Sequence, residues 1–136
     1  MIATSIEQSK QLVRLGLDPK TADMCWVNDY TGQWVLITDT QINVRSRLEG
    51  MYEYSGFQWQ EHIALVAAWS LTALLEVMRQ INAVTTLQVT SLSTFMRCKD
   101  MGFIWQKDLH INDPVTAAYE MVCYLLEQGL IKKGGE

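Results

Sequence analysis

Two histidines, a few carboxylates and three cysteines are the residues of this 136-residue chain whose chemistry could go beyond packing. His62 and His110 lie far apart in sequence. A metal site or an acid–base pair built on them needs the fold to bring in carboxylates such as Glu61, Asp108 or Asp113. In Asp108-Leu109-His110 the alternation puts both polar side chains on one side of an extended segment. Catalysis would also need them within hydrogen-bond reach of a substrate, with pKa values moved towards their task. A surface loop ahead of a helix explains Asp108, His110 and Asp113 more simply. A pocket gathering His62, Asp108, His110 and Asp113, in a small hydrolase or ligand-binding protein, is therefore the alternative reading.

Cys25, Cys98 and Cys123 are widely spaced, odd in number and without a CxxC pair. That argues against a disulfide framework and against a zinc site. A nucleophilic cysteine would need a histidine partner, and no local signature supplies one. Cys123 sits among apolar neighbours and reads as a small buried hydrophobe. Ser70, in Ala-Trp-Ser-Leu, lacks the flanking glycines of a nucleophile elbow. Phosphate-cradling patterns are absent too; Gly134-Gly135 reads as part of a short polar tail over 132–136. No catalytic, metal-binding or cofactor-binding residue is named by any pattern, and the balance leans away from an enzyme.

Hydrophobic residues make up 49% of the chain and charged residues 19%, a composition that folds. One domain over 1–131 is expected. The net charge of −4 argues against nucleic acid, whose binding rests on neutralising phosphates with Lys and Arg. The basic pairs Arg45/Arg47, Arg97/Lys99 and Lys132/Lys133 read as solvated faces. The first residues, MIATSIEQSK, lack the basic start and apolar run of a secretory signal. The longest apolar run, Ile63 to Trp69, is far short of the roughly 20 residues of a spanning helix. A reduced, cytoplasmic protein without membrane partners is the expectation.

The elements that must position these residues begin with the final one. Asp113 and Pro114 suit the cap and first position of a helix, and Val115, Ala118, Tyr119, Val122, Leu125 and Leu126 form one apolar face. Gly129 closes it, with Leu130 folding back on the last turn. Thr4-Ser5-Ile6-Glu7 reads as a capping box on a helix ending near Leu15 and Gly16. Met24 to Val27 and Gln33 to Ile37, around a turn from Asn28 to Gly32, read as a hairpin. Gln41 to Val44 extends the sheet or begins a loop, and Arg45 to Glu61 is irregular. His62 to Ala68 is either a turn of helix or an apolar lead-in to a helix capped by Ser70. Strands are expected over Thr85 to Arg97 and Phe103 to Gln106, with a turn near Lys99 to Gly102 and a loop from Lys107 to Asn112. Strands in consecutive blocks predict an α+β fold: one antiparallel sheet of about four to five strands with about three helices packed on one face.

Three segments together, TADMCWV with WVLI, AWSLTALLEVM, and DPVTAAYEMVCYLLEQGLIKKG, resemble a group of small uncharacterised proteins of gut Bacteroides. Many of that group are associated with phages, prophages and other mobile elements. In the group a proline often precedes Ala-Trp-Ser, where this chain has Ala67. The resemblance implies a bacterial or phage cytoplasmic origin and no particular activity.

Tyr52, Tyr54, Phe57 and Trp59, on an irregular stretch, have the composition of protein-interface anchors. The favoured reading is a non-enzymatic protein-interaction module in a phage or mobile-element setting, with an unknown protein partner or a second copy of itself.

Overall fold

The computed structural model describes residues 2–28, 33–38 and 64–134. Most of the Asn28–Gly32 turn, the Gln41–Val44 extension and the residues Tyr52, Tyr54, Phe57, Trp59 and His62 lie outside them. The described elements run α1 (Ile6–Arg14), a 3-10 turn (Pro19–Thr21), β1 (Met24–Asn28), β2 (Trp34–Thr38), β3 (Ala64–Ala68), α2 (Leu71–Met78), β4 (Ala83–Val89), β5 (Thr94–Asp100), β6 (Gln106–Ile111) and α3 (Pro114–Glu127).

The mixed α+β content is as expected, but the single sheet is not. The described strands form two separate three-stranded sheets, ordered β2-β1-β3 and β4-β5-β6, with every pairing antiparallel. The apolar run before Trp69 is the third strand of the first sheet, neither a turn of helix nor a lead-in. Cys25 on β1 lies between Ile37 and Ala67, so both edges of β1 are occupied. Short apolar runs do not separate helix from strand by periodicity, which is why β3 escaped the sequence reading. α2 then carries the chain from the first sheet to the second.

The second sheet also differs in its boundaries. The run from Thr85 to Arg97 is broken by a tight turn, in which the Thr90 hydroxyl accepts from the amides of Leu92 (3.3 Å) and Ser93 (3.1 Å). The expected loop at Lys107–Asn112 is mostly strand β6, and the expected strand at Phe103 is the connection before it. Gln106-Lys107-Asp108-Leu109-His110-Ile111 is too polar to look like a strand, but β5 pairs with all six residues. Leu109 and Ile111 pack on the core, while Asp108 and His110 face solvent.

α3 is the centre of the packing. Asp113 caps it, accepting from the Thr116 amide at 2.8 Å and its hydroxyl at 3.0 Å, and Pro114 occupies the first turn. It packs against α1, α2, β5 and β6. Its buried set is accordingly wider than one stripe: it adds Ala117 and Met121, includes Cys123 as expected, and leaves Tyr119 half-buried. Gly129 takes φ +72°, and the Leu130 amide reaches Leu125 O at 2.9 Å. Leu130 itself is exposed; Ile131 is the residue that folds back into the core. Gly134 donates to Gly16 O at 2.8 Å, tying the segment read as a tail to the end of α1.

A buried polar network joins the N-terminus to the start of α2. Ser5, not Thr4, caps α1: its hydroxyl accepts from the Gln8 amide (3.1 Å), and Gln8 Oε1 accepts from the Ser5 amide (3.0 Å). Thr4 is engaged elsewhere. Its hydroxyl accepts from the Trp69 amide at 3.1 Å and meets Ser9 Oγ at 2.8 Å. At α2, Ser70 Oγ accepts from the Ala73 amide at 3.2 Å and donates to Asp23 Oδ2, while Asp23 Oδ1 accepts from the Ser70 amide at 2.9 Å. Ser70 is thus occupied as a cap. Ser70→Ala is expected to lower stability by about 1–2 kcal/mol, and Asp23→Ala by a similar amount, in urea melts. Because both variants remove the same Oγ–Oδ2 hydrogen bond, the double variant should lose less than the sum.

Candidate functional site

The residues of the pocket reading have separate structural partners. The alternation of Asp108 and His110 does put them on one exposed face of β6. There Arg97, opposite Asp108 on β5, grips its carboxylate with two bonds, Nε–Oδ1 at 2.8 Å and Nη2–Oδ2 at 3.0 Å. Gln106 Nε2 adds contacts of 3.1 and 3.3 Å. The hydrogen bond from Arg97 is the main cause holding the Asp108 carboxyl below its ordinary range, so Asp108 stays ionised. The His110 ring sits 4.9 Å from that of Phe95, its cross-strand neighbour. Burial, the largest single influence, would raise Asp113, but hydrogen bonds and a nearby positive charge, led by the bond from the Thr116 amide, together outweigh it and the carboxyl is lowered. An acid of this kind is a cap, not a proton donor near neutrality. Among the described residues no group of three or more His, Cys, Asp or Glu side chains could hold a metal ion.

A cleft of about 350 Å³ lies between α1, β6 and α3, lined in part by Lys107, Tyr119, Glu120, Cys123 and Glu127. The cysteine in it, and the tyrosine beside that cysteine, are both moved away from ionisation. Burial pushes the Cys123 thiol up to about 11 and the Tyr119 hydroxyl up to about 12. Cys98 is likewise raised by burial. All three cysteines are buried thiols. At pH 8 a thiol with a pKa near 11 is ionised to about one part in a thousand, and only the thiolate is alkylated. The native protein is therefore expected to resist iodoacetamide at pH 8 for hours, while the urea-unfolded chain takes three labels by mass spectrometry. Rapid native labelling of Cys123 would mean that the cleft opens to a reactive thiol.

Among the described residues, the connection between β5 and β6 groups several exposed apolar side chains. Met101, Phe103 and Ile104 are 55%, 75% and 86% exposed. Turns are ordinarily polar, and three large apolar side chains on one tip depart from that pattern. The tip is held in shape by Asp100. Its amide donates to Trp105 O at 3.2 Å, its carbonyl accepts from Phe103 N at 3.1 Å, and its carboxylate accepts from Ile104 N (2.5 Å) and Trp105 N (3.2 Å). Met101 N reaches Asn82 O at 3.2 Å, linking the tip to the base of β4. Trp105 turns inward against the Tyr124 ring on α3, 6.3 Å between centroids.

Phe103 has φ +60°, the left-handed region that side chains rarely adopt. Holding a bulky residue there costs on the order of 1–2 kcal/mol, although Gly102 lies next door. Lys99 Nζ stands 4.6 Å from the centre of the Phe103 ring. The result is a hydrogen-bonded apolar point with one ammonium group at its base. The sequence reading placed the turn at Lys99 to Gly102 but began the next strand at Phe103, two residues too early for the tip. Asp100 did mark the turn, but its hold on the amides of Ile104 and Trp105, which carries the turn past Gly102, is not visible in the sequence.

Comparison of the chain with protein-family models, curated proteins and solved structures finds no match.

Proposed function

We propose that the protein is a non-enzymatic interaction module that binds another protein through its Met101–Ile104 tip. The observation that carries this reading is Phe103: a large aromatic, three-quarters exposed, kept in a strained backbone conformation by the Asp100 bonds. Folding gains little from an exposed ring, so a strained one points to use outside the chain. The chemistry of the tip defines its partner as a folded protein with an apolar socket and a carboxylate at the rim for Lys99. The likeness to phage-associated Bacteroides proteins supports a setting in the bacterial cytoplasm among phage or mobile-element products. No described helix is long and apolar enough to cross a membrane. The pocket reading around His62 and His110 has no described observation in its favour.

The test is capture of partners from a bacterial extract with the wild-type chain and with the Phe103→Asn/Ile104→Ser variant in parallel. A partner held by the first and lost from the second supports the reading. Equal capture by both removes the tip from it.

A further inference from the structure

We infer that β4 is the pairing edge of a two-fold homodimer, in which two copies join their second sheets into one six-stranded sheet. β4 reads Ala-Val-Thr-Thr-Leu-Gln-Val and is the outer strand of the order β4-β5-β6. It carries no charge, no proline and no glycine, and four of its seven residues are β-branched. Alternate residues of an outer strand direct N–H and C=O groups away from the sheet. No described residue pairs with that side of β4. Natural edge strands guard such a row with charges, proline or a bulge. The opposite edge, β6, has Lys107, Asp108 and His110; β4 has none of these guards.

The inner face beside this edge is also only partly covered. α3 packs on β5 and β6, and next to β4 lies a partly apolar groove of about 440 Å³ lined by Leu75, Met78, Arg79, Ile81, Thr85 and Leu87. Val89 continues that face at 57% exposure. A bare edge and an open groove on the same strand call for one cover that supplies both a strand and apolar side chains.

A second copy does so without any further element. Antiparallel self-pairing centred on Thr86 sets Ala83 opposite Val89 of the other copy, Thr85 opposite its Leu87, and Thr86 opposite itself. The two-fold axis is then perpendicular to the sheet, so both grooves lie on one side and meet at the axis. Each inner position of one strand faces an inner position of the other. The strand is neutral, and the Arg79 guanidinium that lines each groove is paired with Glu76 at 2.8 Å, so no unpaired like charges meet at the axis despite the chain's net charge of −4. The tips stand at opposite ends of the joined sheet, because Ala83 pairs with Asp100 beside the tip. This inference stands apart from the partner reading: the tip takes no part in the edge contact.

The experiment is sedimentation equilibrium of the full chain over a range of concentrations. Wild type is expected at twice the chain mass. Thr86 is exposed on the outer face, opposite Arg97, whose guanidinium is held by Asp108, so Thr86→Lys costs the fold little, as far-UV circular dichroism and a urea melt check. It sets two ammonium groups face to face at the axis and is expected to weaken the dimer on the order of a hundredfold. Thr86→Glu should do the same, and an equimolar mixture of the two variants should recover the dimer. Phe103→Asn/Ile104→Ser should dimerise like wild type. A wild-type chain that stays at one chain mass throughout, or a Thr86→Lys chain that associates as tightly as wild type, overturns the inference.

Discussion

Phe103→Asn/Ile104→Ser is expected to weaken partner binding on the order of 100-fold or more while leaving the melting temperature nearly unchanged. Both side chains are mostly in water in the free protein, at 75% and 86% exposure, so removing them takes little from the core. Asparagine tolerates a left-handed backbone better than phenylalanine, so the variant relieves strain at φ +60°. The lost contact with Lys99 is worth about 0.5–1 kcal/mol at an exposed site, comparable to the relieved strain. Interface anchors cost at least about 2 kcal/mol each on truncation, and two of them give the stated loss. Titration calorimetry with the captured partner reads the affinity, and differential scanning calorimetry reads the stability. A large drop in melting temperature would mean that the tip serves the fold instead.

Trp69→Ala is expected to be the most damaging single substitution in the described core. The side chain is fully buried, and its indole N–H donates to Thr21 Oγ1 at 2.9 Å. Its backbone is held on both sides by Thr4, whose amide reaches Trp69 O at 2.9 Å. Emptying such a site costs about 3–5 kcal/mol, a large share of the roughly 5–15 kcal/mol that a domain has in total. For a chain of this size that lowers the melting temperature by roughly 10–15 °C. Trp69→Phe keeps most of the volume and loses the Thr21 bond, so it should cost less than half as much. Equal urea midpoints for wild type and Trp69→Ala would show that the junction between the N-terminus, β3 and α2 is not where the stability lies.

The parts of the fold legible in the sequence were those set by local chemistry. Asp113-Pro114 and Gly129 bracket α3, Ser70 caps α2, and Gly16 closes α1, because caps depend on neighbours within a few residues. What was illegible depended on partners far away. Ala64–Ala68 becomes a strand because β1 offers it an edge, and Gln106–Ile111 because β5 does. The cap of α1 moved from Thr4 to Ser5 because Trp69, remote in sequence, claims the Thr4 hydroxyl. The division into two sheets follows from those missed strands. For the site, the alternation of Asp108 and His110 was readable, but the grip of Arg97 on Asp108 was not, since it needs the β5–β6 register. Phe103 and Ile104 were read as strand because their type is strand-like, and only the hydrogen bonds of Asp100 lift them out to solvent.

The most direct test of the interaction reading places a photo-crosslinking residue at position 104 and, separately, at Lys10 on the exposed side of α1, and irradiates both in a bacterial extract. One heterologous protein is expected to be joined in high yield from position 104, with little or none from position 10. Equal yields from the two positions, or no adduct from position 104 at any extract concentration, would contradict it.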